Sequence, residues 1–71
     1  MKLDKNLLMK GEELKLFRKQ HNLTQEQLAN ALHKINGLNY TKSVISKMER
    51  DKMGIGQRTS LSLIQIGWNN E

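Results

Sequence analysis

The side chains best suited to chemistry in this chain gather between residues 41 and 50. Once Val44, Ile45 and Met48 take the inner face of a short helix there, Lys42, Ser43, Ser46, Lys47 and Arg50 are left facing water. Lys and Arg can donate to O6 and N7 of guanine, and Ser can bond several base edges. The major groove of B-DNA is about 12 Å wide and admits one helix. Gln25, first in a capped helix, and Thr41 and Lys42, first in the next, are placed to meet phosphate oxygens, because a helix N-terminus offers free N–H groups and the positive end of its dipole. A Lys/Ser face on a short helix is more commonly just a solvated surface, so the charge pattern alone leaves both readings open.

Other chemistry finds little material. The carboxylates are Asp4, Glu12, Glu13, Glu26, Glu49, Asp51 and Glu71, and none shares a catalytic spacing with a His or a nucleophile. His21 and His33 stand apart, with no Cys to complete a metal set, and read as helix-end or surface residues. Gly54, Gly56 and Gly67 are not followed by the Lys-Ser/Thr pair of a phosphate loop. With no Pro and one residue each of Phe, Tyr and Trp, a deep dry pocket is not expected. The expectation is therefore a protein that is not an enzyme and takes no metal, cofactor or small-molecule ligand.

Composition narrows the partner. Seventy-one residues make one domain, residues 1–71, that must use helices efficiently. The net charge of +5 points first to a polyanion. It is uneven: +2 over residues 1–33, +4 over 34–58 and −1 over 59–71, so the middle third is the electrostatic front. The absence of Cys suits a reducing compartment. No run approaches the roughly 18 apolar residues of a membrane span. Met1-Lys2-Leu3-Asp4-Lys5 does not open like a secretory signal. The expected location is the cytoplasm, on the nucleoid when DNA is bound. A membrane-surface role is disfavoured by Glu12-Glu13 and by the lack of an aromatic anchor in the first helix.

The elements that must position these residues are helices. Leu7, Leu8, Leu14 and Phe17 recur at helical spacing over about Asp4 to His21, with Asp4 as cap, Gly11 marking a kink or a break, and Asn22 as stop. Leu23-Thr24-Gln25-Glu26-Gln27-Leu28-Ala29 holds a capping box between Thr24 and Gln27, with Leu23 and Leu28 as its hydrophobic staple. That helix presents Leu28, Ala29 and Leu32 on one face. Residues 34–40, with the turn signal Asn36-Gly37, read as a loop. Thr41 caps a helix over about Lys42 to Arg50, and residues 51–57 form a loop. Thr59 or Ser60 can cap a last helix carrying Leu61, Leu63, Ile64 and Ile66 and ending at Gly67, although Ser60-Leu61-Ser62-Leu63 also alternates like a strand.

The string Leu14…Phe17-Arg18-Lys19-Gln20…Asn22-Leu23-Thr24-Gln25-Glu26-Gln27-Leu28-Ala29…Leu32, then Tyr40-Thr41-Lys42-Ser43-Val44-Ile45-Ser46-Lys47-Met48-Glu49-Arg50, resembles the helix-turn-helix domain of the phage repressor and Cro (Xre-type) family. The resemblance covers about Gly11 to Arg50 and holds two motifs in the correct order. It implies an all-α, lambda-repressor-like bundle of four to five helices, with the two-helix motif at about residues 24–50. It implies that the helix from Lys42 is the recognition helix, that Gln25 helps lock the protein to the DNA backbone, and that Arg18 pairs with Glu49.

Three departures from that pattern stand out. Seven residues separate Leu32 from Tyr40, where the family commonly has one or two, so the recognition helix is open to re-aiming. The chain runs about twenty residues beyond that helix, where family members often carry a dimerisation element, and specific operator binding normally needs two half-site readers. Asp51 stands where the family often has Gly. The whole chain is also similar to the short modulator-of-repression proteins of temperate-phage switches. That similarity implies a second partner: a phage repressor protein, met through Lys42, Ser46, Lys47 and Arg50, with Met48, Met53 and Ile55 as adaptable apolar contacts, against the plainer reading, favoured for Met48, that Met48 is core and Met53 with Ile55 is ordinary loop packing.

Overall fold

A computed structural model describes residues 10–68. They form four helices, α1 (Gly11–Gln20), α2 (Gln25–Asn36), α3 (Lys42–Glu49) and α4 (Gln57–Ile66), and no strand occurs among the described residues. The strand-like alternation of Ser60 to Leu63 therefore lies on a helix.

Each helix start has a local cause, and that of α4 differs from the sequence expectation. α1 begins at Gly11, the later side of the expected break, where the Lys10 backbone N–H donates to Glu13 Oε1 at 2.9 Å. Asp4, Leu7 and Leu8 lie outside the described residues. α2 has the expected capping box: Gln27 N–H donates to Thr24 Oγ1 at 3.0 Å and Thr24 N–H to Gln27 Oε1 at 2.9 Å. α3 is capped by Thr41, whose hydroxyl accepts from Val44 N–H at 3.1 Å. α4 starts at Gln57 with Gly56 as its cap, three or four residues before the expected caps Thr59 and Ser60. Thr59 and Ser60 are buried in its first turns, because this face of α4 turns towards Tyr40 and α2.

The helix ends explain where the long turn went. α2 continues through Lys34, Ile35 and Asn36, which the sequence placed in a loop, and stops at Gly37 in the left-handed region (φ 78°). The turn is thus residues 37–41, braced from both sides. Leu38 N–H donates to Asn36 Oδ1 at 2.8 Å, and the His33 ring lies 2.7 Å from Leu38 O. Asn36 Nδ2 donates to the Tyr40 hydroxyl and to Ser62 Oγ, both at 2.9 Å, and Tyr40 and Thr59 share a hydroxyl hydrogen bond of 2.7 Å. A polar web between α2 and α4 therefore holds the approach to α3.

The core joins Leu14 and Phe17 of α1, Leu28, Ala29 and Leu32 of α2, Ile45 and Met48 of α3, Ile55 of the following loop and Leu63 of α4. Met48 and Ile55 are therefore core residues, and of the three expected apolar partner contacts only Met53 is exposed. Ile45 is completely buried, a burial worth about 1.5–3 kcal/mol. It pins α3 to the bundle by the side opposite its lysines.

Candidate nucleic-acid interface

α3 presents the polar residues in the order the sequence suggests. Thr41, Lys42, Ser43, Lys47 and Arg50 are exposed, and Ser46 is half-buried. Lysines at the start and in the last turn of the helix and an arginine at its C-cap thus face solvent, while Ile45 and Met48 face inward.

Glu49 is the one acidic residue of α3, and its charge is turned away from solvent. Arg18 Nε donates to Glu49 Oε2 at 2.5 Å and Arg18 Nη2 to Oε1 at 3.3 Å, a two-point clasp between α1 and α3. The two side chains are only 13% and 5% exposed. Arg18 Nη1 also donates to Leu23 O at 2.9 Å, which ties the α1–α2 connection into the same group. Gln25 Nε2 donates to Glu49 Oε1 at 3.1 Å, so its side-chain amide bridges to α3. These residues fix the start of α2 against the end of α3.

Asp51 is the second acidic residue beside this face, and it too is engaged. It adopts φ 59°, and its backbone N–H donates to Met48 O while Lys52 N–H donates to Lys47 O. This pair of bonds closes α3 by the motif that usually ends on glycine. Asp tolerates the left-handed region better than most residues, and here its carboxylate accepts from Gly11 N–H at 3.1 Å. Asp in place of the family's Gly thus adds a link from the end of α3 to the start of α1. The sequence marked Asp51 as a departure but gave no sign of its partner, 40 residues away.

Beside Ser46, Glu49 and Arg50 a shallow cleft opens between α1 and α3, and its other walls are Lys15, Arg18, Lys19 and Gln25. Lys15 and Lys19 were not among the expected site residues. Their spacing of four was visible in the sequence, but only the packing of α1 on α3 brings them to this cleft.

The histidines are elsewhere. His21 ends α1 with its ring 4.3 Å from that of Phe17 and its Nδ1 3.1 Å from Phe17 O, and His33 braces the turn. Among the described residues no group of three or more His, Cys, Asp or Glu side chains could hold a metal ion. No described helix is long and apolar enough to cross a membrane.

Searches of characterised proteins and of solved structures gave no match. A family model described as helix-turn-helix matches residues 14–66, well over half of the chain, and takes in all of α2, α3 and α4 and most of α1. Capped α2, a braced turn and an outward-facing α3 are the arrangement that this family uses to address DNA, and the chain belongs to the Xre/lambda-repressor type of helix-turn-helix family of DNA-binding transcription regulators.

Proposed function

We propose that this protein is a small regulator of a phage-type lysis/lysogeny switch that acts on operator DNA through α3. Thr41, Lys42, Ser43, Ser46, Lys47 and Arg50 are its contact residues, and the start of α2 at Gln25 meets the DNA backbone. The observation that carries this reading is the exposed cationic side of α3, whose only carboxylate is held inward by Arg18 and Gln25. A cation-rich rod with short hydroxyl side chains between its charges suits a groove whose floor carries acceptors and whose rims are phosphates. The phage assignment rests on the likeness of the whole chain to short switch proteins.

A second reading has the same face bind the phage's repressor protein and alter that protein's grip on DNA. The two separate in one experiment. Purified protein is titrated onto its own genomic switch region and onto a random duplex over a salt series, with and without the neighbouring repressor. Operator reading requires tighter binding to the switch region than to random duplex. It also requires a log–log salt slope of about −0.9 for each phosphate contacted. Failure to bind duplex alone, together with a stable complex with the repressor, establishes the second reading and removes the first.

A further inference from the structure

We propose that the cleft between α1 and the end of α3 is a separate phosphate seat, in which Lys15 and Lys19 of α1, with Arg50 of α3, grip the nucleic-acid backbone beside the groove that α3 enters. The inference rests on the DNA reading above and extends it to a helix outside the two-helix motif.

Three observations converge on it. Lys15 and Lys19 are four residues apart, so they project from one side of α1, and both are exposed. Like charges at that spacing repel and weaken a helix. Although Glu12 and Glu13 lie in the preceding turn, Arg18–Glu49 is the only ion pair among the described residues. The repulsion between the two lysines is therefore not relieved by a carboxylate in contact with either. The cleft they share with Arg18, Gln25, Ser46, Glu49 and Arg50 holds four cations against one carboxylate, a local charge of +3. That carboxylate already accepts from Arg18 and Gln25; Glu12 and Glu13 border the two lysines in a neighbouring recess without an ion pair, and Arg50 Nε donates to Ser46 O at 3.4 Å, so both ammonium groups and the rest of the Arg50 guanidinium are open to an outside anion.

The shape fits the assignment. The first N–H groups of α2, which by position lack intrahelical partners, lie at Gln25, one of the residues lining the cleft. Half-buried Ser46 also lines it. An open, shallow, cationic recess beside the reading helix matches a strand of phosphates that runs past it. Contacts of this kind position the protein and add affinity without choosing sequence.

The test compares the parent protein with the double variant Lys15→Gln, Lys19→Gln and with Lys15→Arg, Lys19→Arg. Each is titrated by fluorescence anisotropy onto the switch-region duplex and onto a random duplex at several salt concentrations. Thermal melts are run in parallel, since exposed positions should leave the fold intact. Loss of two phosphate contacts should make the log–log salt slope of the Gln variant shallower by about 1.8. Both duplexes should weaken by the same factor, and the Arg variant should follow the parent.

An unchanged slope overturns the proposal, and so does a loss confined to the switch-region duplex. A parent that binds neither duplex removes the DNA reading and this seat together. A parent that binds with a steep slope while the Gln variant matches it removes this seat alone.

Discussion

Glu49 carries its charge at 5% side-chain exposure, and donors from Arg18 and Gln25 converge on it. Such a charge is tolerable only while it stays paired, because its water has been stripped and only these donors replace it. The replacement Glu49→Gln keeps the shape and one acceptor but leaves the Arg18 guanidinium buried without a counter-charge. Removing one partner of a buried pair costs about 3–5 kcal/mol. In a domain of this size each kcal/mol moves the melting temperature by roughly 4–8 °C. Glu49→Gln is therefore expected to melt roughly 10 °C or more below the parent. A thermal melt within about 2 °C of the parent would show that hydrogen bonding without charge suffices here. Arg18 also donates to Leu23 O, so the same variant should loosen the α1–α2 connection in hydrogen exchange.

At the scale of elements, the notable contact is between the start of α1 and the end of α3. Gly11 is buried there. A β-carbon at this position would meet the Met48 backbone oxygen, the Glu49 backbone oxygen at 2.6 Å and Asp51 Oδ1 at 2.8 Å. Two of these three atoms are backbone and cannot swing aside, so α1 would have to lift from α3. Intrinsic propensity alone favours Gly11→Ala by about 1 kcal/mol. Overpacking of about 1–3 kcal/mol opposes it, and the loss of the Gly11–Asp51 hydrogen bond adds to that. Gly11→Ala should lower the urea midpoint, and a raised midpoint would mean that α1 slides along α3 without penalty. The sequence marked Gly11 as a break but could not show what it packs against. Legibility followed range throughout. The starts of α2 and α3 were readable because Thr24 and Thr41 bond within three residues of themselves. The end of α2 was missed because Asn36-Gly37 is equally a loop signal and a helix stop, and only the partners of Asn36 on α4 distinguish them. The start of α4 was missed because Gly56 caps it without a side chain, while Thr59 looks like a cap and is instead bonded to Tyr40. The Arg18–Glu49 pair, 31 residues apart, came from family likeness and not from spacing. Lys15 and Lys19 depended on how α1 crosses α3, which no local pattern encodes.

For the whole molecule, the placement of charge matters more than its amount. Residues 34–58 hold six bases and two acids. Glu49 is paired with Arg18 and Asp51 accepts from Gly11 N–H, and among the described residues no carboxylate forms an ion pair with the lysines of α3. A field focused in this way should be sensitive to where a reversal is made. Lys42→Glu with Lys47→Glu lowers the net charge by four, and so does Lys34→Glu with Arg58→Glu. The first pair sits on the exposed side of α3; the second sits on the last turn of α2 and the first turn of α4. Screening at physiological salt confines exposed charges to about 8 Å. The α3 pair should therefore abolish duplex binding, and the other pair should weaken it only a few-fold, with both variants melting near the parent because all four side chains are exposed. Anisotropy titrations beside thermal melts decide the matter. Equal losses from the two pairs would mean that the protein is held by its overall charge, with no oriented face, and the role given to α3 would fall with that result.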